Sequence, residues 1–540
     1  MLLPTRLLPN SRYISATSAK AFMKRQYSLE ASLENPKFDK ITPKQKPNKQ
    51  EQPKYSFNDI LIDSKNHSLQ PLHFEGANEV PTLSHGLSEV LFKPGIHYMR
   101  DPVSNNNNYS DFLLNVTQPE DFDFSKISGF MPPSEHENLH KLSKRFMKKY
   151  MSSTSAMSSV LIQLYFLISH WKPPKLSNFS KSLRSSATAF SRSTRYPPTV
   201  NVIYKEYSYA LDSDKSNDKK YNVLSLMGHS IERHLVYEQE RYEKYLIKSK
   251  ISEPLYEADC FNYCGFENFI IRSQIDCRHD SLRKKSFDIK SRAVVSIRHN
   301  IEKYKEFNGY QIKTEKGKWE SFEREIFDMI RTSMIKYAFQ ARMGNMDGIF
   351  VAYHNTVKMF GFQYFPLDFI DEAIFYNPLT ARRTFYMIMS LYGGILDRLT
   401  AMFPERNMSL SFSPQQNTQN LILWVELPNF YKDHKPVPNT EEGFDIDINN
   451  DGNSTFPSLT PVNAEMVIPL KLESKKDEWK LVWDMVLDKS SESVIRQEYY
   501  EFKTFQKNYF KKDYTDKYYN NPFVKKLLEL SKESAYLNEQ

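Results

Sequence analysis

The chain has 540 residues, 40% hydrophobic and 26% charged, with a net charge of +8 and an abundance of Tyr and Phe. That is a soluble, globular composition, long enough for two or three domains or for one elaborated domain with tails. Glycine is scarce and neither G-x-x-x-x-G-K nor G-x-G-x-x-G occurs, which disfavours the phosphate-cradling loops of nucleotide-driven enzymes.

The three cysteines, Cys260, Cys264 and Cys277, exclude a disulfide framework, and no histidine is spaced to complete a zinc ring with them. A reducing compartment fits. Residues 1–30 carry Arg6, Arg12, Lys20, Lys24 and Arg25 among serines, with no acid before Glu30, as a mitochondrial presequence does. The stretch RQYS (25–28) resembles a processing site. A Pro/Lys/Gln linker without apolar period follows over 31–55.

Residues 56–200 form an N-terminal accessory region. Between Asn138 and Lys205, 68 residues hold twelve Lys or Arg and no Asp or Glu. A basic helix (140–150) opens this stretch and a Ser-rich segment (180–195) closes it. The apolar run VLIQLYFLIS (160–169) lies between; a membrane span needs about twenty apolar residues, so this run predicts a core helix. Peripheral membrane attachment stays open. Such a long acid-free stretch predicts affinity for a polyanion, either a phosphate backbone or anionic lipid.

From 201 to 430 the spacing predicts an α/β core. A helix runs from Tyr221 to about Lys248, then a strand over 269–276, a polar turn, and a strand from Ile289 to Ile297. A hairpin-like piece (310–319) precedes a continuous helix over 322–343. A hairpin turning near 355–357 follows, with helices near 367–375 and 379–402 and strands at 408–412 and 420–427. The acidic tract 431–460 starts like a calcium loop at Asp447, Asn449, Asp451 and Gly452. Ser458 stands where a bidentate Glu belongs, so this is an exposed loop. Strands over 461–490 complete the core, and helices fill 491–540.

One stretch carries chemistry: IDCRHDSLRKKSFDIKSRA (275–293). In the second strand Asp288, Lys290 and Arg292 share a face, because alternate residues point the same way. If that strand pairs antiparallel with the one before it, Asp276 and Asp288 meet beside Lys290. Two neighbouring carboxylates repel unless a cation lies between them. Hard oxygen donors with room for water suit Mg²⁺ or Mn²⁺. A lysine then positions a nucleophile and neutralises developing charge, as phosphodiester hydrolysis requires. Arg292, next on the face, suits a substrate phosphate. Bare acid-x-Lys motifs recur elsewhere, as at Asp218–Lys220; the combination with Asp276 and a basic surround raises the signal. A structural salt-bridge strand is the alternative.

The same stretch resembles the RecB-type branch of the PD-(D/E)xK nucleases, whose pattern is I-D, about a dozen residues, then D-x-K-[ST]. The resemblance implies a mixed sheet flanked by helices, here with an N-terminal basic helical region and a C-terminal helical extension. It also implies a preceding helix with a Gly/His/Glu signature, matched in type by GHSIERHL (228–235), which offers His229 and Glu232, the latter as a third metal ligand or holder of its water. A following helix with Gln and Tyr is matched by KYAFQARM, in reversed order, with Tyr337 and Gln340 at the substrate. Arg272 is assigned to substrate phosphate by position only.

Longer blocks, KEYSYALDSDKS (205–216), YNVLSLMGHSIE (221–232), WESFEREIFDMI (319–330) and QARMGNMDGIFVAYHNT (340–356), resemble a fungal mitochondrial RNA-processing family, Pet one-two-seven. That resemblance implies processing or exonucleolytic trimming of mitochondrial RNA from the 5′ end in association with the inner membrane. Together with the acid–acid–lysine group it gives an Mg²⁺- or Mn²⁺-dependent 5′-to-3′ exoribonuclease of the matrix, in contact with RNA-degradation or transcription machinery. The rivals are a non-catalytic RNA-binding regulator and a mitochondrial DNA nuclease.

Overall fold

The computed structural model describes residues 58–62, 68–72, 79–216, 223–249, 260–416, 420–427, 471–475, 478–483, 485, 492–511 and 514–539. The expected presequence, linker and acidic loop lie outside them. In chain order come β1 (Asn58–Ile62), β2 (Gln70–Leu72), β3 (His97–Tyr98), α1 (Glu137–Arg145), β4 (Tyr150–Ser153) and α2 (Thr154–Ile168). Next are β5 (Thr199–Lys205), β6 (Ser208–Ser213), α3 (Val223–Val236), β7 (Phe261–Phe266), β8 (Phe269–Gln274), β9 (Cys277–Arg278) and β10 (Ser286–Ala293). They are followed by α4 (Val295–His299), α5 (Phe322–Arg331), α6 (Met334–Met343), β11 (Gly348–His354), β12 (Met359–Pro366), α7 (Leu367–Phe375) and α8 (Pro378–Met402). The last are β13 (Met408–Pro414), β14 (Leu421–Glu426), β15 (Lys471–Lys475), β16 (Glu478–Trp483), α9 (Glu492–Asn508) and α10 (Pro522–Glu539).

The strands form two mixed sheets where one was expected. One has five strands in the order β3-β12-β11-β10-β9, the other eight in the order β14-β13-β5-β6-β4-β8-β7-β2; β1, β16 and β15 make a small third sheet. In the larger sheet β4 runs parallel to both β6 and β8. In the smaller one β10 runs parallel to β11, joined through α4, α5 and α6, while β11 and β12 form the expected hairpin. The fold is therefore mixed α/β.

The apolar run at 160–169 belongs to α2, started by Ser153, whose hydroxyl accepts from the Ala156 amide. Nearly every residue of this helix is buried, because it lies in the central core with α6, α7 and α8 and residues of both sheets. Each fully buried Leu, Ile or Phe there contributes about 1.5–3 kcal/mol. The outer face of the five-stranded sheet (Phe287, Ile289, Phe350, Ala352) is covered by Met227, Ile231 and Leu235 of α3. On the outer face of the other sheet, Met151, Ala210, Tyr263 and Ile270 sit under Leu139 and Leu142 of α1. No described helix is long and apolar enough to cross a membrane.

Five local expectations change. The basic helix foreseen over 140–150 ends at Arg145, before β4 begins at Tyr150, and the helix foreseen from Tyr221 to about Lys248 ends at Val236. The strand foreseen from Ile289 to Ile297 stops at Ala293, and Val295 and Ile297 turn into α4, where the Glu325 carboxylate accepts the Val295 amide at 2.8 Å. The helix foreseen over 322–343 breaks at Thr332, whose hydroxyl donates to the Asp328 carbonyl at 2.7 Å and whose backbone leaves the helical region. Residues 310–319 make a closed loop, with the Lys313 amide donating to Glu320 O at 2.8 Å, and no strand.

The two sheets approach each other where α6 ends. A Cβ on Gly344 would press on Ser273 Oγ of β8 and on the Met346 side chain, so a larger residue at that junction would have to displace both. Just beyond Ser273 the chain leaves the eight-stranded sheet, and within three residues it joins the other as β9.

Candidate active site

β10 is paired with β11 from Asp288 to Ala293 on one side, but with β9 only through Ser286 and Phe287 on the other. From Asp288 onward that second edge has no strand partner among the described residues. Asp276, in the short passage from β8 to β9, fills the first gap: its Oδ2 accepts the Ile289 amide at 2.9 Å, where a neighbouring strand would have offered a carbonyl. This fixes the carboxylate beside Asp288. The pairing foreseen between two long antiparallel strands is thus reduced to the two residues of β9, and the convergence comes from the passage between sheets.

Lys290 Nζ donates to Asp288 Oδ1 at 2.6 Å and to Ile289 O at 3.2 Å, and stands 3.7 Å from Asp276 Oδ2. Both carboxylates are nearly sealed, while the Lys290 side chain is 24% exposed. Burial raises the Asp288 carboxyl well above the usual carboxylate range; Lys290 opposes this and Asp276 adds to it. At Asp276 burial also pushes upward, but the Lys290 ammonium and hydrogen bonds from Asp288 and the Ile289 amide outweigh it and hold the group low. Of the two, Asp288 is therefore the weaker acid and Asp276 the stronger. Lys290 pays for its burial through Asp288, Asp276 and Glu232, which together raise its ammonium above the ordinary range.

Glu232 reaches this group from α3. Its Oε2 lies 3.6 Å from His229 Nδ1, and its charge acts on Lys290. The hydrogen bond to Glu232 raises the His229 imidazole against burial, and Asp276 adds to the effect. Helix α6 supplies Tyr337, whose ring centroid is 5.9 Å from Lys290 Nζ; Gln340, half-buried, lies about one turn further along that helix.

Arg292 and Arg272 are directed elsewhere. Arg292 Nη2 donates to Glu325 O at 3.3 Å and its Nε lies 3.7 Å from Glu325 Oε2. Burial and Arg298 pull that guanidinium down to about 10, against Glu325 and Asp328. Arg272 Nη2 donates to Met131 O at 2.6 Å, and its guanidinium lies 4.7 Å from the Phe261 ring centroid. Sequence reasoning did not foresee the net that holds Arg292: Glu325 and Asp328 of α5 with Arg298, Arg324 and Arg331. A signal existed, since Glu325 follows Phe322 by one helical step and so falls on the buried side of α5.

Among the described residues no three His, Cys, Asp or Glu side chains form a ready-made metal cluster. The donors that do converge, two buried carboxylates beside the Ile289 carbonyl, are hard oxygens of the kind Mg²⁺ and Mn²⁺ accept, and like-charged acids this close gain from a cation. The donor chemistry fits a divalent ion at Asp276 and Asp288.

The family described as "Mitochondrial protein Pet127" matches residues 130–397. A Schizosaccharomyces pombe protein named "mRNA degradation protein pet127, mitochondrial" is 33% identical over 378 residues, which cover 68% of this chain and 72% of the relative. The chain belongs to the Pet127 family. A second Pet127 relative, the Saccharomyces cerevisiae "Putative mitochondrial translation system component PET127", is 36% identical over 345 residues, covering 59% of this chain but only 41% of that longer protein. Solved structures that align are Candida albicans Rai1 in complex with pU5-Mn²⁺, at 12% identity and TM-score 0.34 over 68% of this chain and 95% of Rai1. Scheffersomyces stipitis Rai1 with (3′-NADP)⁺ and calcium aligns at 10% identity and TM-score 0.34, over 67% and 91%. The Pet127 match contains every residue of the candidate site, from Glu232 to Gln340.

Proposed function

We propose that this Pet127-family protein is a mitochondrial, divalent-metal-dependent nuclease of the PD-(D/E)xK kind that removes nucleotides from RNA 5′ ends. The observation that carries this reading is the convergence of Asp276, Asp288 and Lys290 at an unpaired strand edge. Both relatives are named as mitochondrial and one for mRNA degradation, which supports the compartment and the substrate class. The matrix, with RNA-degradation or transcription machinery nearby, is the setting that follows.

Asp276 and Asp288 would hold Mg²⁺ or Mn²⁺, with Glu232 beside them to orient its water. Such an ion, when bound, polarises a phosphoryl oxygen and acidifies water. Lys290 holds the attacking water through its ammonium and offsets negative charge as the phosphorane-like state forms. The Asp276 contact to the Ile289 amide keeps both carboxylates in register with Lys290. Tyr337 covers Lys290 from the α6 side. Arg292 and Arg272, committed to protein partners, are left out of phosphate binding.

A second reading has its own observation. The Lys290 ammonium already sits between the two carboxylates, as a resident cation would, and a non-catalytic RNA-binding regulator could retain such a triad for stability. Incubation of the purified protein with 5′-monophosphorylated RNA and matched DNA, in Mg²⁺ or EDTA, separates the readings. Turnover of RNA that EDTA and Asp288→Asn both abolish supports the nuclease. RNA binding without turnover in any sample overturns it in favour of the regulator, and preferential turnover of DNA overturns the substrate.

A further inference from the structure

The acid-free stretch 138–205 meets a second segment without Asp or Glu, residues 502–511, at one corner of the molecule. Tyr509, just past α9, is buried there and its hydroxyl donates to Arg192 O at 2.8 Å. The Arg192 guanidinium lies over the Tyr509 ring, 4.5 Å from its centroid. Tyr196 meets the Tyr509 ring at 5.1 Å and the Phe510 ring at 5.0 Å, and Phe510 itself is 53% exposed. Arg192, Lys507 and Lys511 are exposed around it. The base is firm: Gln506 Nε2 donates to Pro197 O at 2.8 Å and to Thr199 Oγ1 at 3.1 Å.

This corner is anchored to the break between α5 and α6. The Ser191 amide donates to Arg331 O at 2.9 Å, and Thr194 Oγ1 to the carbonyls of Arg331 and Thr332 at 3.2 and 3.0 Å. Tyr337, which stands by Lys290, follows Ser333 by four residues of helix, roughly 6 Å along the axis. The rival basic patch, at the end of α1, where Met147 is 89% exposed and Lys144 lies over Tyr207, is less suited. It sits at the start of β4 and β8, whereas Asp276 follows the far end of β8.

We infer that Phe510, Tyr196 and Arg192, flanked by Lys507 and Lys511, form a landing platform for single-stranded RNA whose 5′ end occupies the Asp276–Asp288–Lys290 site. The inference rests on the nuclease reading for the placement of that end. An exposed ring stacks any base, since every base has a π-face. A guanidinium stacked by its face keeps edge N–H donors for phosphate oxygens, and flanking lysines add charge without sequence preference. Charge complementarity with a polyanion selects RNA over a protein partner here.

The test measures binding of the full chain, in EDTA so that no turnover occurs, to a 5′-monophosphorylated unstructured twenty-nucleotide RNA and to a tetranucleotide. Phe510→Ala should weaken the long RNA about tenfold. Arg192→Glu should weaken it similarly and lower the slope of log K against log salt by about one. Phe510→Trp should bind as wild type does, and the tetranucleotide should bind all variants alike. Long-RNA affinity within about twofold of wild type in both disruptive variants overturns the platform, as does an equal loss on the tetranucleotide, which would mean a disturbed site. Loss of affinity for anionic lipid vesicles with RNA binding intact also overturns it. Turnover in Mg²⁺ keeps the two ideas apart: a wild-type protein without turnover defeats the nuclease while binding still decides the platform. Turnover with unchanged KM for the long RNA in both variants defeats the platform alone.

Discussion

Asp288 and Lys290 share one face of β10 with Arg292, yet the surroundings of the two ends of that strand are opposite. Around Lys290 acids outnumber cations, and two of them are pressed together at an unpaired edge. Around Arg292 four guanidinium groups, those of Arg292, Arg298, Arg324 and Arg331, enclose Glu325 and Asp328, and the Glu325 side chain is only 1% exposed. The first cluster holds more acids than cations, with Lys290 as the ammonium between its two buried carboxylates. The second is closed by its own partners and ties α4 and α5 to the strand. Nearness on one strand face therefore does not imply a common task.

The largest expected effect concerns the first cluster. Lys290→Ala and Asp288→Asn should each lower metal-dependent turnover of 5′-monophosphorylated RNA by about 10²–10³-fold in steady-state assays. Activity within a factor of about three of wild type would remove Lys290 and Asp288 from the chemistry. The same Asp288→Asn change should raise the melting temperature at neutral pH, because it removes a carboxyl that burial and Asp276 already hold far above its ordinary range.

The second cluster should respond in the opposite sense. Glu325→Ala leaves buried guanidinium groups without their central acid and should cost about 3–5 kcal/mol in urea unfolding. A loss below about 1 kcal/mol would show that the net is not structural.

His354, beside Arg298, and His234 sharpen the picture through pH. Burial, with Arg298 adding at His354, holds them down to about 3 and about 4 against an ordinary 6.5. Below about pH 6.5 the unfolded chain then binds protons that the folded chain refuses. Stability present above that pH is lost as the pH falls toward the folded values, on the order of 3 kcal/mol per histidine. Equal urea midpoints at pH 7.5 and 4.5 would contradict buried neutral imidazoles. The smallest effect belongs to an exposed pair: Lys149 Nζ lies 2.9 Å from Asp397 Oδ1, with both side chains over a third exposed, and Lys149→Ala should cost about 0–1 kcal/mol.

Much of this was legible in the chain. The β11–β12 hairpin, α7, α8 and the C-terminal helices follow from local period and from caps such as Asn377 before Pro378, which act within a few residues. The convergence of Asp276, Asp288 and Lys290 was legible because their spacing leaves few ways to separate them. Arg272 and Arg292 were not, because a buried arginine differs from a phosphate-binding one only by a partner such as Met131 O or Glu325, far off in sequence. The break at Thr332 escaped for the same reason: Thr194, more than a hundred residues earlier, claims the carbonyls of Arg331 and Thr332.

The sequence by itself determined the α/β alternation, the acid–acid–lysine group and the uneven spread of charge, since each depends on residues near one another along the chain. Only the tertiary structure decided that two sheets share the strands, that Asp276 caps the bare edge of β10 as the chain passes between them, and that the acid-free segments meet at Tyr509. Those outcomes depend on which buried faces and unpaired amides find each other across long loops. Hydrophobic burial is non-directional and carries no local pattern from which that choice can be read.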